Sequence, residues 1–302
     1  MPTVRQSRSW PRVGTTTARL WTSLRDDHPF AGGAPPVALY YFSPDRRMEH
    51  PTRHLAGWTG ILQADAYGVY NELYGVQHKP APALSDLCWS HARRKFFEMA
   101  DIKGRAVKNR ARKGKKVAEQ ISPVALEAVK RFDAIFDIER GIFGSDAETR
   151  HDARQKLVLP LVIDLHDWLR VERAHMSKHN PVAKAINYMF EEDGRWEAFT
   201  RFLDAGTVCL TNNAAERALR GVALGRKVWL LAGSPRGGER APFMYSHKRH
   251  RKDERRRPSG LVVRYFRPEA GHRRLAATVT PTMELEIRES RLTAAQTGCL
   301  HY

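Results

Sequence analysis

Residues 60–74 read GILQADAYGVYNELY, and the reading of this stretch decides the fold class. WTGILQADAY (58–67) reads as a strand, its apolar part GILQAD running up to Asp65. Asp65 ends the strand, and the aromatic run from Tyr67 to Tyr74 predicts a helix after it. Upstream, ARLWTSLRDD (18–27) and VALYYFSPD (37–45) read as two further strands. They are joined by the Gly/Pro-rich HPFAGGAPP (28–36), so a hairpin is expected. Downstream, LSDLCWSHARRKFFEMAD (84–101) opens as a short strand and turns helical. Strands alternating with helices in this way predict an α/β chain.

From about 102 to 206 the period changes to a helical one. Lys103 to Lys116 is a solvated basic run. SPVALEAVKRFDAIFDIERGIF (122–143) carries Ser122 as an N-cap and Pro123 in the first turn. LVLPLVIDLHDWLRVERAHM (157–176) and NPVAKAINYMFEEDGRWEAFTRFLDAG (180–206) continue in the same mode, and Gly206 closes the last helix. A short strand, TVCL (207–210), is expected next. TNNAAERALRGVALGRKVWLLAGS (211–234) then opens a helix with Thr211 and Asn212 as caps. From His247 onward, HKRHRKDERRR is a dense charge run, and the remainder shows no sustained period. Residues 1–16 are basic, aperiodic and read as disordered or divergent. Five segments follow: 1–16, a core part 17–101, a helical insertion 102–206, a second core part 207–246, and a basic tail 247–302.

Composition points to a polyanionic partner. Against 33 acidic residues stand 51 Lys and Arg, a formal net charge of +18 over 302 residues. Each phosphate such a surface neutralises releases condensed counterions, so nucleic acid is the expected ligand. The blander reading of that charge is a basic surface with no ligand. Cys88, Cys209 and Cys299 are widely spaced and odd in number, which excludes a disulfide framework or a zinc finger and suits a reducing cytosol. No apolar run is long enough to span a bilayer, and Arg5 and Arg8 are not followed by the apolar stretch of a secretory signal.

Two acids stand out for chemistry. Asp65 ends a strand, where α/β folds collect ligands; its bland reading is a turn cap. Glu216 lies in the first turn of the helix after Asn212–Asn213, where a helix-dipole role would suffice. Behind Glu216 come Arg217, Arg220, Arg226 and Lys227, with Arg217 and Arg220 on one side of the helix. A carboxylate for a divalent cation beside arginines for phosphate is what phosphoryl transfer needs. His91, Arg93, Arg94 and Lys95 on the 84–101 helix are further candidates for DNA contact, with helix capping and a solvated face as their alternatives. Trp89 and Trp229 read as core. Gly233, Gly237 and Gly238 lack P-loop spacing.

Several long strings occur in one order: LYYFSPDR (39–46), GILQADAYGVYNELY (60–74), LCWSHARRKFFEMADI (87–102), HNPVAKAINYM (179–189) and CLTNNAAERALRGVALGRKVWLLAGSPRGGERA (209–241). Together they resemble the insertion sequence 66 family of DDE-type transposases over about residues 17–246. The resemblance implies a ribonuclease H-like mixed sheet with a large all-helical insertion, two Mg²⁺ ions, DNA as substrate, assembly with other transposase chains, and a cytoplasmic, nucleoid-associated location. It places Asp65 on the family's second acidic position and Glu216 on its third. The family's first Asp lies on a strand upstream of the hairpin, and MPTVRQSRSWPRVG (1–14) carries no acid, so the sheet is expected to be incomplete, with its first strand missing. Asp26 and Asp27 are the nearest stand-ins. Beyond APFMYS (241–246) the chain departs from the family, and the tail reads as out-of-frame translation. The implied activity, DNA strand cleavage and transfer in transposition, is expected to be impaired. The alternatives are a non-catalytic DNA-binding remnant and a degenerate gene product.

Overall fold

The computed structural model describes residues 15–100, 122–190, 194–229, 237–242, 244–246 and 275–288. The basic runs Lys103–Lys116 and Lys248–Arg257, Gly233 and nearly all of segment 1–16 lie outside these residues. Strand β1 (Thr15–Arg25) and β2 (Val37–Ser43) form the expected hairpin, antiparallel from Arg19↔Ser43 to Arg25↔Val37. Side chains bind the two strands as well as the ladder. The Trp21 indole donates to Ser43 Oγ at 2.8 Å, and Thr22 Oγ1 donates to the Leu39 carbonyl at 3.0 Å.

Helix α1 (Glu49–His54) leads to β3 (Gly60–Ala64), and the expected helix after Asp65 forms as a 3-10 turn (Gly68–Tyr70) running into the short α2 (Asn71–Tyr74). Strand β4 (Leu84–Leu87) pairs parallel with β3 and feeds α3 (Trp89–Ala100). One face of this half of the sheet buries Trp21, Leu62, Ala64, Tyr70 and Leu73 in a single apolar cluster.

The centre of the sheet corrects the sequence reading. The expectation was a sheet lacking a strand and a patternless tail. Instead β5 (Leu275–Arg288) runs between β1 and β3, giving the order β2-β1-β5-β3-β4. It is antiparallel to β1, from Thr15↔Arg288 to Leu24↔Thr278, and parallel to β3, from Gly60↔Leu275 to Gln63↔Thr278. The two halves of the sheet are joined through it. The segment is rich in β-branched residues, but Pro281 interrupts its alternation. That proline falls at a register shift between Leu20↔Met283 and Thr22↔Thr280, where an extra residue needs no ladder N–H. A bulge of this kind erases the period-2 signal that would have announced the strand.

The helical layer comprises α4 (Pro123–Gly141), α5 (Ala147–Ala153), a π-helical turn (Arg154–Val158), α6 (Leu159–Ala174), α7 (Pro181–Phe190) and α8 (Arg195–Thr200). Ser122 caps α4 as expected, its Oγ accepting from the Ala125 amide at 3.2 Å. The layer buries Phe96, Phe132, Ile135, Leu165, Ile186, Phe199 and Phe202 around Trp89, which also donates its indole N–H to the Phe199 carbonyl at 2.7 Å. Trp89 is therefore core, as read; the Trp229 side chain lies outside the description.

Two fully enclosed arginines tie this layer to the chain entering the last helix. Arg154 holds Glu139 through two contacts, 2.7 and 2.8 Å, and donates to the carbonyls of Phe202, Ala205 and Val208. Arg150 donates to those of Gly206 and Pro29 at 2.7 and 3.0 Å. These bonds explain a second correction: residues 207–210 are not a strand. The Val208 carbonyl is taken by arginines, that of Cys209 by the Gln63 side chain, and that of Leu210 by the Trp89 amide. With its acceptors engaged from the side, the segment has no ladder to join.

Helix α9 (Asn213–Trp229) then lies on the β1–β2 half of the sheet. Ala215, Ala218, Leu219 and Val222 pack on Leu20, Leu24, Ala38 and Tyr40, and the Tyr40 hydroxyl donates to the Ala218 carbonyl at 2.8 Å.

Candidate active site

Asp65 follows β3 directly, so strand alternation puts it on the same face as Gln63, the face that α9 covers. Glu216 sits in the first turn of α9. The helix is started by the Asn212 backbone, whose carbonyl accepts from the amides of Ala215 and Glu216 at 3.0 and 3.2 Å. The side chain of Asn212 does not cap: it is fully enclosed, and both its polar atoms lack a partner.

Between the two acids stands His91, on the first turn of α3. Its Nε2 lies 3.2 Å from Glu216 Oε1. The thiol of Cys88 and the carboxylate of Glu216 beside it hold the imidazole charged, its pKa pushed up to about 10 against the opposing effect of burial, while its Nδ1 is buried without a hydrogen-bond partner. The same contact holds the Glu216 carboxyl below its ordinary value. Asp65 behaves oppositely. Burial raises its pKa, the His91 charge resists that rise, and the Glu216 charge adds to it. Its Oδ1 is buried without a partner. Asp65 and Glu216, far apart in the chain, thus both come near His91: Glu216 in direct contact, Asp65 across the cavity it shares with the imidazole.

A cavity of about 320 Å³ opens beside Asp65 and His91, lined by these two and by Tyr67, Arg94, Lys95, Glu98 and Tyr188. Arg94 is exposed on its rim and near enough to favour the Glu216 charge. Arg217 and Arg220 are also exposed, on α9 behind Glu216. Arg226 and Lys227 continue that helix, but their side chains lie outside the description. Arg93 is different. It turns away to α4, where Asp133 takes its guanidinium in a two-pronged contact of 2.7 and 3.0 Å. It lines a separate groove of about 390 Å³ with Phe97, Asp133 and Arg140.

Asp26 and Asp27, the proposed stand-ins for a third acid, are engaged locally: Asp27 by Arg25, and Asp26 by His28. Among the described residues no group of three or more His, Cys, Asp and Glu is disposed to hold a metal ion. Asp65, Glu216 paired to an imidazolium, and the exposed Glu98 at the cavity wall do not make up a two-metal centre, which needs several oxygen donors around each hard cation.

Sequence reasoning missed Cys88 as the thiol that helps keep His91 charged, and Tyr188 as a wall of the cavity supplied by the helical layer. The Lys95 ammonium lies 4.1 Å from the Tyr188 ring centroid. For Cys88 a signal existed: it stands three residues before His91, at the strand-to-helix junction.

A family model described as "Transposase IS66 family" matches residues 3–240. The match takes in both acids, His91 and the helical layer, and begins upstream of the strings that first carried the resemblance. Among curated relatives, the uncharacterized protein y4hP of Sinorhizobium fredii is 53% identical over 229 residues, 76% of this chain and 40% of that protein. The uncharacterized protein y4jD of the same organism is 34% identical over 230 residues, 76% of this chain and 41% of its own length. The chain therefore spans about two fifths of the relatives it matches. No solved structure matches. With the family model covering most of its length, this chain belongs to the IS66 transposase family.

Proposed function

We propose that the chain is the catalytic-core portion of a DNA transposase, a ribonuclease H-like sheet interrupted by the 102–206 helices, and that it presents a DNA phosphodiester to the Asp65–His91–Glu216 cleft. The observation that carries this reading is the approach of two acids from distant segments to His91, beside a cavity rimmed by Arg94 and Lys95. Family membership supports a role in transposition. The excess of cations supports DNA as partner.

In this proposal the cationic side chains do the binding. Arg94, Arg217 and Arg220 contact backbone phosphates as charge-assisted donors. The His91 charge keeps the acids from repelling each other when DNA is absent. A divalent cation, Mg²⁺ by family expectation, would supply activation of the attacking oxygen. The donor set seen here does not complete a site for it, so strand cleavage by this chain is impaired. Among the described residues no helix is long and apolar enough to cross a membrane, which fits action on cytoplasmic, nucleoid DNA.

The test is binding and nicking of duplex DNA carrying the element's ends. Binding with a steep salt dependence is expected. Arg217→Ala with Arg220→Ala should flatten the log–log slope by about 0.9 per lost phosphate contact. Absence of binding at low salt would overturn the proposal. Efficient nicking in Mg²⁺, abolished by Asp65→Ala or Glu216→Ala, would keep the site and refute the impairment.

A further inference from the structure

Arg94 belongs to two hollows at once. It lines the cavity beside Asp65 and His91, and it also lines the groove of about 390 Å³ between α3 and α4. Resting on the reading of the Asp65–His91–Glu216 cleft as a site for a DNA phosphodiester, we infer that this groove is the track of an unpaired DNA strand continuing from that cleft.

Two helix faces build the groove. Arg93, Arg94 and Phe97 come from α3, and Asp133, Phe136 and Arg140 from α4. On each helix they recur at spacings of three and four, which sets them on one side. From Asp133 to Arg140 the helix rises about 10 Å, the reach of about three nucleotides of one strand. Phe97 and Phe136 are half-buried, packed on the helical core while lining the groove. The Arg93 guanidinium lies over the Phe97 ring, 5.0 Å from its centroid. Asp133 holds it there, so the charge is neutralised while the planar group stays in the wall. Arg94 and Arg140 are exposed. Among the described residues Arg94 makes no ion pair, and Arg140 meets Asp137 in a surface contact of the kind that contributes little and exchanges readily for a phosphate.

The two kinds of residue match the two parts of a single strand. Exposed arginines take backbone phosphates as charge-assisted donors. Aromatic rings and guanidinium planes take base faces, and a base offers its face to a protein only when it has left the duplex stack. Cations alone would serve a duplex as well or better, because a duplex carries more phosphates for its length. The Phe97 and Phe136 rings between the arginines therefore select the unpaired form. Asp133, the acid of the groove wall, is already taken by Arg93 and offers a phosphate little repulsion. With Arg94 common to groove and cavity, a phosphate it holds lies where the two meet. The substrate of the cleft is then DNA whose strands part beside the phosphodiester presented there.

The experiment measures binding of the full chain by fluorescence anisotropy, at one salt concentration, to three DNAs carrying the element's end. One is a blunt duplex, the second is extended by a short unpaired strand of either polarity in turn, and the third is extended by as many base pairs. With one polarity the unpaired extension should tighten binding at least about fivefold over the paired one, the low end of what one stacked base contributes. Phe97→Leu with Phe136→Leu should remove that gain and leave blunt-duplex binding as in the wild-type chain, whereas Arg94→Ala should weaken binding of all three. A preference for the paired extension, equal binding of both, or a gain that survives in the folded leucine variant would overturn the inference, while blunt-duplex binding keeps the cleft reading standing. Absence of all binding at low salt would overturn the cleft reading and the groove with it. Should the leucine variant not fold, photo-cross-linking of the wild-type chain decides. A 5-iodouracil in the unpaired extension should attach to the peptide bearing Phe97 or the one bearing Phe136; attachment only elsewhere, or none, would overturn the inference.

Discussion

The helical layer and the sheet solve the same problem by opposite means. The layer is contiguous in sequence, from Pro123 to Leu203, and it is held by aromatic packing and by two buried arginines whose bonds, apart from that of Arg150 to the Pro29 carbonyl, are intrinsic to it or to the adjoining chain. The sheet is assembled from pieces. Its two halves, β2–β1 and β3–β4, are bridged by β5, a strand from the far end of the chain. Local contacts close short loops and form independently, whereas a distant strand must close a long loop before any pairing is gained. The layer should therefore behave as the more self-sufficient unit, and the sheet as the part that depends on a remote segment.

The sharpest way to break this comparison is Arg154→Ala. It removes the main partner of the buried Glu139 and takes the arginine donor from the Phe202 and Ala205 carbonyls, and breaking a buried pair in this way costs roughly 3–5 kcal/mol. Urea unfolding should show the loss, and a double variant with Glu139→Leu should recover part of it. A loss below about 1 kcal/mol would mean the arginine staple does not hold the layer. Next in size is Val279→Pro, which removes a ladder hydrogen bond in the central strand and should cost roughly 3 kcal/mol. Hydrogen exchange should rise in β1 and β3 together, while α4 and α6 stay protected. Equal exposure of both regions would erase the distinction between them.

A pH-dependent prediction follows from Asp86 on β4. It is enclosed, accepts from Gln63 Nε2, and burial raises its pKa well above the ordinary value. A carboxyl raised in the folded state binds its proton more tightly there than in the unfolded chain. Its contribution to stability is therefore fully present below the unfolded value near 3.8 and is lost as pH rises toward the folded value. Asp86→Asn keeps an acceptor oxygen for Gln63 and removes that slope. Relative to wild type it should be more stable at pH 7 than at pH 4, as followed by chemical denaturation. An unchanged profile would contradict the assignment. The smallest effect is that of Ser122→Ala, which deletes the cap of α4 and should lower stability by about 1 kcal/mol in thermal melts.

What the sequence made legible was what is local. Ser122 and Pro123 announce α4 because a cap is a contact with the next turn. Asp65 stands out because a strand end is written in five residues, and the β1–β2 hairpin because Gly and Pro cluster between two β-rich runs. β5 was not legible: its pairing partners lie more than 200 positions away, and Pro281 breaks the period by which strands are recognised. The reading of 207–210 as a strand failed for a related reason. Its composition suits a strand, but Arg150, Arg154 and Gln63 claim its carbonyls, and no spacing rule foretells that. Of the cations nominated for DNA, Arg94, Arg217 and Arg220 are exposed, whereas Arg93 is engaged by Asp133. Sequence reveals a charge but not the partner another helix will offer it.

The π-helical turn at Arg154–Val158 sets the rotational phase between α5 and α6. Such a turn holds one residue more than the α-helical turn it replaces, so it offsets the helix after it by about 100° relative to an uninterrupted path. Excising one residue there would let α5 and α6 fuse into one straight rod. Leu165 and Leu169, now inside, would rotate toward solvent while Arg150 and Arg154 kept their places. In that rod the arginine anchor and the apolar stripe could not both be satisfied. Members of the lineage that carry the anchor should keep the extra residue, and those that have shed one should have shed the other.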